Sequence, residues 1–429
     1  MKDLNKIEKS WIMYDWANSA YSIAITSTIL PLYFKMVYSS GTSASSANST
    51  AYWGYANSIG TLIIAFLAPI LGTIADYKGY KMKLFKTFFI LGIIFTSLLS
   101  IVPNTYWSLL LIFYVINSIG FSGSCIFYDA FLVDVTPKEK MDRVSSMGFG
   151  MGYIGSTIPF ILSISLIILS QSKVIPLSIQ TSCKISFLIT SAWWALFTLP
   201  MIKNVKQIHG INIEKAPIVN SFIRLKSTLK NIKHHKNLFI FLLAYFFYID
   251  GVDTIITMAT SYGSDLGISS STLLIILLVT QFVAFPFSII FGRLAEKFKD
   301  KTMIFCGIII YSFICIYSYF IKTSLDFWVL AVLVGTSQGG IQAISRSYFG
   351  KLVPKERANE FFGFYNIFGK FSAIMGPFIV GIVTQLTGET RKGVLSIIFL
   401  FLVGGIILFK VPADKRCANS KNTAYELDA

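Results

Sequence analysis

Apolar residues along this chain come in twelve long runs, separated by short polar segments. Each run has about 20 mostly apolar residues, the length that a helix needs to cross the hydrocarbon core of a bilayer. The runs are too long for membrane β-strands and do not alternate as such strands do. The pattern therefore predicts an all-α membrane protein. Its twelve membrane-spanning helices, spans 1 to 12, are predicted over residues 11–36, 52–75, 84–102, 106–132, 144–170, 184–202, 238–260, 271–292, 302–321, 327–347, 361–384 and 393–411.

The composition agrees with a bilayer as the solvent, because 54% of the 429 residues are hydrophobic and only 14% are charged. The net charge of +16 does not indicate nucleic-acid binding, because the basic residues lie between apolar runs and not on a soluble domain. With both termini in the cytoplasm, 30 of the 37 Lys and Arg residues lie on the cytoplasmic side and six on the other. This positive-inside asymmetry predicts the orientation, and we expect a bacterial plasma membrane.

The long basic stretch between spans 6 and 7 divides the chain into two sets of six spans. We predict an N-terminal bundle over 1–202, a cytoplasmic connector over 203–237, a C-terminal bundle over 238–411 and a cytoplasmic tail over 412–429. The connector is expected to be solvated and to lie on anionic lipid, with a small regulatory domain as the alternative. The first apolar run is too long and too polar for a cleavable signal peptide, so we expect it to remain as span 1.

Two sequence motifs occur once in each half. Residues 72–76 (GTIAD) after span 2 match residues 292–296 (GRLAE) after span 8, 220 positions later. Residues 137–139 (PKE) after span 4 match residues 354–356 (PKE) after span 10, 217 positions later. Two six-helix halves related as parallel repeats are the plan of major facilitator transporters.

The loop after span 2 resembles the signature of the major facilitator superfamily, which is G-x-x-x-D followed by a glycine and basic residues. The matching positions in this chain are Gly72, Asp76, Gly79, Lys81 and Lys83. The second copy departs from the signature, with Glu296 in place of the acid and Lys299 in place of the glycine. The resemblance implies that these residues form a gate at the cytoplasmic mouth and do not bind substrate.

Two arginines near the cytoplasmic ends of spans 5 and 10, Arg143 and Arg346, are further gate candidates. We expect them to contact acids such as Asp76 or Asp134.

Three segments resemble a narrower branch of the superfamily, the vacuole effluxers named for autophagy-related amino-acid exporters, and their bacterial relatives. They are residues 14–21 (YDWANSAY) in span 1, 142–155 (DRVSSMGFGMGYIG) at the start of span 5 and 338–347 (QGGIQAISRS) in span 10. The resemblance implies the export of amino acids or similarly small polar metabolites.

Five ionisable residues are predicted within the spans: Asp15, Asp129, Asp250, Asp253 and Lys370. A charge at mid-span costs roughly 2.5–3.5 kcal/mol on insertion scales, so such a group faces a cavity or a partner. We expect Asp15, Asp250 or Asp253 to bind a coupling proton or the ammonium of an amino acid. Lys370 is expected to hold a carboxylate or to neutralise one of the acids. The alternatives are structural ion pairs and, at residues 250–253, an unwound point in span 7, because glycine weakens helices.

Other polar side chains within the spans are candidates for lining the transport path. Asn18 lies one turn beyond Asp15, and Gln338 and Gln342 share one face of span 10.

The sequence favours a secondary transporter, functional as a monomer, for a small polar solute, with a proton or sodium ion as the coupling ion. No enzyme activity, cofactor or metal is predicted, because the chain has no intramembrane histidine and no nucleophile or ATP-binding motif. A non-transporting sensor or receptor, or a transporter of sugars or drug-like molecules, remains as an alternative.

Overall fold

The computed structural model describes residues 3–41, 46–212, 217–230 and 235–411. The predicted tail over 412–429 lies outside these residues. Within the described part of the chain, twelve helices are long and apolar enough to cross a membrane, and there is no β-strand. They confirm the twelve predicted spans, and their bounds are Lys6–Ser39, Ser49–Ala75, Tyr80–Ile101, Trp107–Val135, Lys138–Gln171, Ile179–Asn204, Lys236–Asp265, Thr272–Ala295, Asp300–Phe320, Ser324–Leu352, Lys355–Thr387 and Thr390–Phe409.

Most of the helices extend beyond the apolar runs that predicted them. Span 10 was predicted over 327–347 and runs over Ser324–Leu352. Its N-terminus is set by a capping box, in which Thr323 accepts a hydrogen bond from the Asp326 N–H and Asp326 accepts one from the Thr323 N–H. Polar caps of this kind extend a helix past its apolar run, because they satisfy backbone groups that the helix itself leaves unpaired.

Two local conformations differ from the prediction. Span 1 contains a π-helical segment over Ser22–Thr28, one turn beyond Asn18. The alternative of an unwound point at residues 250–253 is wrong, because span 7 is continuously helical there. Gly251 serves helix packing instead, since a Cβ at this position would lie 2.6 Å from the ring of Phe401.

The two six-helix halves meet at the ends that carry the connector, which we call the inner side. A Cβ at Gly72 of span 2 would lie 2.4 Å from the carbonyl oxygen of Asn359 in span 11. One at Gly363 of span 11 would lie 2.7 Å from the backbone of span 2. Near the opposite ends of the same two helices, a Cβ at Gly54 or Gly381 would meet nothing within 4 Å. Spans 2 and 11 therefore pack closely against each other on the inner side.

The first part of the connector folds back onto the loop between spans 2 and 3. The Ile211 N–H donates to the carbonyl of Asp76 at 2.8 Å, and the Lys78 N–H donates to the carbonyl of Ile211 at 3.0 Å. The side-chain carbonyl of Gln207 accepts from the backbone N–H groups of Gly79 and Lys81. This part of the connector is therefore hydrogen-bonded to the N-terminal half, while side chains such as that of Ile208 stay exposed.

The second part of the connector contains a helix, Pro217–Lys230, which we call the connector helix. Arg224 in this helix donates a hydrogen bond to the carbonyl of Thr73 at the inner end of span 2. Thr228 accepts one from Arg357 at the start of span 11. The connector helix therefore contacts both halves of the protein on the inner side.

Candidate functional site

Arg346 of span 10 joins the two halves near the middle of the inner side, and its side chain is 3% exposed. One terminal nitrogen donates to Asp15 of span 1 at 3.0 Å, and the other donates to Asp129 of span 4 at 3.1 Å. Its Nε donates to the hydroxyl of Ser145 in span 5 at 3.0 Å. A buried arginine needs this many partners, because an unpaired charge away from water is costly.

Aromatic rings and a glycine complete the surroundings of Arg346. The guanidinium carbon lies over three rings at 4.3–5.4 Å, those of Trp11, Tyr128 and Phe149. Gly148 is required here because a Cβ would lie 2.5 Å from the carboxylate of Asp15. Part of the glycine-rich start of span 5 therefore makes room for this ion pair.

Asp250 of span 7 is completely buried and joins spans 7 and 11 within the C-terminal half. Its Oδ1 accepts from the Gly376 N–H at 2.9 Å and from the Thr254 hydroxyl at 3.3 Å. Its Oδ2 has no hydrogen-bond partner within the described part of the chain. The geometry favours a structural role for Asp250 and gives no direct route from solvent to its carboxylate.

Asp253 and Lys370 have a different environment, because both side chains are partly exposed. Neither makes a side-chain hydrogen bond or an ion pair with any residue that the structure describes. They lie on spans 7 and 11 and are close enough for their opposite charges to interact. Lys370 also borders a small cavity of about 10 Å³ next to Asn366 and Ser122, so it faces the N-terminal half as well.

The predicted uncharged polar residues lie at different depths. Asn18 is buried, and its amide donates to the sulfur of Cys125 in span 4 at 3.9 Å. Gln338 is buried beside a cavity of about 70 Å³ in the C-terminal half, which is lined mainly by apolar side chains. Gln342, one turn along span 10, is partly exposed.

The motif after span 2 forms the main contact between spans 2 and 11. Asp76 is fully buried, and its Oδ1 accepts from the backbone N–H and the side-chain amide of Asn359 at 2.9 and 3.0 Å. Its Oδ2 accepts from the Glu360 N–H at 3.4 Å. Burial raises the pKa of Asp76 to about 7, although the hydrogen bonds from Asn359 oppose the shift. Gly79 has a φ of +82°, a backbone conformation that favours glycine.

Lys81 and Asp134 form a second buried contact, which lies entirely within the N-terminal half. Lys81 Nζ is 2.6 Å from Asp134, and both side chains are fully buried. The other carboxylate oxygen of Asp134 accepts from the backbone N–H groups of Ile208 and His209 in the connector. The sequence motif therefore anchors the connector as well as contacting span 11.

The second copy of the motif makes fewer of these contacts. Gly292 still packs closely, with a Cβ position 3.2 Å from the Asp142 carbonyl oxygen at the start of span 5. Glu296, however, is exposed and accepts no side-chain hydrogen bond within the described residues. Lys351 supplies the charged contacts on this side, at 2.5 Å from Asp142 and 2.9 Å from Asp300.

The expected partners of the two arginines are wrong. Arg143 lies 2.7 Å from Asp3 in an exposed pair, and Arg346 pairs with Asp15 and Asp129, so neither contacts Asp76 or Asp134. One signal in the sequence could have identified a correct pair. Asp129 and Arg346 are 217 positions apart, the same spacing as the two PKE motifs, so they occupy equivalent places in the two halves.

Comparison with known proteins identifies relatives over the whole chain. A family model described as vacuole effluxer Atg22-like matches residues 5–421. An uncharacterized MFS-type transporter, YxiO of Bacillus subtilis (strain 168), is 59% identical over 415 residues, which cover 96% of each chain. Autophagy-related protein 22 of Vanderwaltozyma polyspora is 24% identical over 400 residues, covering 82% of this chain and 74% of that one.

Solved structures of the same fold are transporters. The proton:xylose symporter XylE aligns with a TM-score of 0.72 at 11% identity, over 95% of both chains. FucP in its outward conformation aligns with a TM-score of 0.67 at 16% identity, over 95% of this chain and 98% of that one. These relatives and neighbours are transporters and not enzymes, and the chain is an integral multi-pass membrane protein with the major facilitator fold. With its match over residues 5–421, the chain belongs to the Atg22-like vacuole effluxer family of major facilitator transporters.

Proposed function

We propose that this transporter exports a small zwitterionic solute of the amino-acid type by alternating access, with Asp253 and Lys370 as its binding pair. The observation that carries the proposal is that these two opposite charges are partly exposed and have no ionic partner within the described residues. Asp253 would bind the ammonium group of the solute, and Lys370 would bind its carboxylate.

Charge compensation is the physical reason for this assignment. Unpaired charges within a span cost several kcal/mol, unless water or a ligand compensates them. A zwitterion brings one charge of each sign and satisfies both residues together. A neutral sugar would bring no charge to either residue, although two sugar:proton symporters share the fold.

A proton is the coupling ion that best suits the Arg346 pairs. To open the inner side, Arg346 must separate from Asp15 and Asp129, because it belongs to the opposite half. Protonating either carboxylate removes one of the two negative charges that hold the arginine. A proton that enters from the outer side would then help to open the inner side. In the orientation of the positive-inside rule, this exchanges a proton from outside for a solute from the cytoplasm of a bacterium.

The test of the binding pair is transport by purified protein in liposomes, with a panel of radiolabelled amino acids, sugars and cationic drugs. We expect exchange of at least one amino acid, reduced by about tenfold or more in Asp253→Asn and in Lys370→Gln, since each loses a charge-assisted contact. Lys184→Gln is the matched control, because it removes a lysine from the outer end of span 6 and should leave exchange unchanged. Exchange of sugars alone, or ligand binding without any flux, would contradict the proposal.

Proton coupling is tested in the same liposomes with a pH-sensitive dye. Export of the amino acid should be accompanied by proton movement in the opposite direction, and dissipating the pH gradient should prevent accumulation. Replacing the proton gradient with a sodium gradient should not restore it. Accumulation driven by sodium would overturn this part of the proposal and leave the binding pair intact.

A further inference from the structure

One face of the connector helix is polar and packs against the rest of the protein. Ser221, Arg224 and Thr228 lie on this face, three and four positions apart. Ser221 and Thr228 are buried. The guanidinium of Arg224 donates to the Thr73 carbonyl, and its central carbon lies 4.9 Å from the centre of the Tyr77 ring. The polar face therefore anchors the connector helix to the inner end of span 2.

The opposite face of the connector helix is exposed and mainly apolar. The side chains of Val219, Phe222 and Ile223 are 58%, 50% and 61% exposed. Lys226 and Lys230 continue the same stripe at helical spacing and are also exposed. Neither lysine forms an ion pair with any residue that the structure describes. This arrangement is the reverse of that of a helix on a soluble protein, which buries its apolar face and exposes its polar one.

The depth of the connector helix agrees with an apolar medium around its exposed face. Thr73 is two positions before the end of span 2 at Ala75, so the helix is attached where this span leaves the hydrocarbon. Phe66 is about two turns before Thr73 and on the same face of span 2, and its side chain is 75% exposed. An apolar side chain this exposed within a membrane span contacts lipid. The connector helix therefore continues a lipid-facing surface of the protein.

We infer that the exposed face of the connector helix docks on the inner leaflet of the membrane, and that the docked helix holds the inner side closed. Val219, Phe222 and Ile223 enter the boundary between headgroups and acyl chains. Lys226 and Lys230 extend from the same face to the headgroups and bind anionic phosphates there. The partner of this surface is therefore an anionic phospholipid leaflet.

The effect on closure follows from the contacts of the polar face. Arg224 is bound to span 2 of the N-terminal half, and Thr228 is bound to Arg357 of span 11 in the C-terminal half. These two spans must move apart when the inner side opens, so the helix can then keep only one of the two contacts. Lipid that holds the helix in this position favours the closed conformation, because a ligand shifts the population towards the state that it binds better.

The docking is tested with an environment-sensitive fluorophore on the full-length protein in nanodiscs of phosphatidylcholine and phosphatidylglycerol. Cys125, Cys306 and Cys417 are first replaced by serine. Ile223→Cys then carries the probe on the exposed face, and Glu139→Cys carries it on an exposed inner loop as the matched control. We expect spin-labelled lipid to quench the probe at position 223 and aqueous iodide to quench the one at position 139.

Two results of this experiment would overturn the docking. Quenching of the probe at position 223 by iodide alone would show that this face meets water. Protection of that probe from both quenchers would show that this face meets protein, such as a second copy of the chain.

The effect on closure is tested with two spin labels, one on each half, at Glu139→Cys and Glu356→Cys in the same background. Both positions are exposed and lie in equivalent inner loops, in the two copies of the PKE motif. Opening of the inner side lengthens the distance between the labels, so the distance distribution gives the ratio of open to closed molecules. The ratio is compared between nanodiscs of phosphatidylcholine with and without phosphatidylglycerol.

The two lysines are tested in the same way. Lys226→Gln/Lys230→Gln is the test variant, and Lys297→Gln/Lys299→Gln is its control, because it removes the same charge from an exposed inner loop. An anionic surface strengthens binding by about fivefold for each nearby lysine. We therefore expect phosphatidylglycerol to lower the open-to-closed ratio several-fold in the wild type and the control, and much less in the test variant. If the wild type populates too little of the open conformation, the comparison is made in the Arg346→Lys background, which weakens the central pairs.

An open-to-closed ratio that is the same with and without phosphatidylglycerol would overturn the effect on closure. Equal responses in the test and control variants would overturn the part assigned to the lysines of the connector helix. Neither measurement requires a solute, so both are independent of what is transported.

Discussion

The two interfaces that close the inner side occupy equivalent places in the repeat but are held by different chemistry. At spans 2 and 11, a buried carboxylate, Asp76, accepts hydrogen bonds from the first turn of span 11. At spans 5 and 8, the equivalent acid, Glu296, is exposed. The charged contacts beside this interface come from Lys351 at the end of span 10, which pairs with Asp142 of span 5 and Asp300 of span 9. The first interface uses the free N–H groups at a helix N-terminus, and the second uses ion pairs.

This difference has consequences for how each interface responds to its surroundings. The contact of Asp76 is fully buried, so dissolved salt should hardly affect it. The side chains of Lys351 and Asp300 are 19% and 15% exposed, so their attraction should weaken as salt rises. Both copies of the motif therefore keep the close packing of two helices, but only the first copy keeps the buried contact of its acid.

One native cysteine can report on the closure of the inner side. Cys125 lies one turn of span 4 beyond Asp129, on the outer side of the Arg346 pairs. In the orientation proposed above, the inner side faces the medium in inverted membrane vesicles, so an impermeant maleimide should reach Cys125 only after that side opens. The measurements below use this labelling rate in a background in which the exposed Cys306, and Cys417, are replaced by serine.

Loss of the central pairs should have the largest effect, because Arg346 joins the two halves through buried charges. Arg346→Gln leaves Asp15 and Asp129 close together without a counter-charge, and breaking a buried pair in this way costs about 3–5 kcal/mol. We expect much faster labelling of Cys125 and a lower unfolding midpoint.

Arg346→Lys is the informative control for that change. It retains the charge, but a shorter side chain with a point-like ammonium cannot keep the fixed geometry in which the guanidinium donates to both carboxylates and to Ser145, so an intermediate labelling rate is expected. A labelling rate in Arg346→Gln equal to that of the wild type would show that the two interfaces close the inner side without Arg346.

The glycines of the two motif copies, Gly72 and Gly292, should both weaken the closed state when replaced by alanine, but they meet different groups. In Gly72→Ala, the new Cβ meets the backbone of Asn359 at 2.4 Å; in Gly292→Ala, it meets the side chain of Ser146 at 2.5 Å. Overpacking of this kind costs about 1–3 kcal/mol, so both variants should label faster.

Only the second of these clashes can be relieved by removing a side chain. We therefore expect Ser146→Gly to restore slow labelling in the Gly292→Ala background. No change of the Asn359 side chain should rescue Gly72→Ala, because the clash there is with the main chain. Rescue of Gly72→Ala by Asn359→Gly would show that the two contacts do not differ in this way.

The apolar pattern was sufficient to locate all twelve helices, because a bilayer imposes the same length requirement on each of them. It could not determine how each helix is rotated about its own axis. Asp250 and Asp253 are three positions apart on span 7, yet one is completely buried and the other is partly exposed. Arg346 was correctly placed near the inner side, but its partners depend on how spans 1, 4 and 10 approach one another. The spacing of 217 positions was the available clue to that contact.

Removing Lys351, at the end of span 10 beside the second interface, should have a moderate effect that depends on salt. Lys351→Gln leaves Asp142 and Asp300 facing each other, and for a partly exposed network we expect a loss of about 1–2 kcal/mol in the closed state. In the wild type, labelling of Cys125 should accelerate as salt rises, and in Lys351→Gln much of this dependence should disappear. Lys299→Gln, an exposed lysine on the adjacent loop, is the matched control and should behave as the wild type. A salt dependence that is unchanged in Lys351→Gln would place the salt-sensitive contact elsewhere.

Replacing Asp76 should have the smallest effect of these changes. The effect on the labelling rate of Cys125 should be negligible at low pH and should grow as the pH rises. In the closed state the pKa of Asp76 is about 7, whereas an acid exposed to water by opening has a pKa of about 4. The closed state therefore binds the proton more tightly. The proton's stabilisation of the closed state relative to the open state is complete below about pH 4 and is lost as the pH rises through about 7.

The charged groups that face Asp76 are Glu360 and Lys81, and Asp76→Asn leaves both of them in place. An asparagine stays neutral, like the protonated acid, and keeps an oxygen that can accept from the Asn359 N–H. The variant should therefore label as slowly as the wild type near pH 5 and more slowly than the wild type near pH 8. Every other titrating group is present in both proteins, so the difference between their labelling rates reports on this one carboxyl group. If the labelling rates of the two proteins ran parallel across this range, the carboxyl of Asp76 would not change its protonation when the inner side opens.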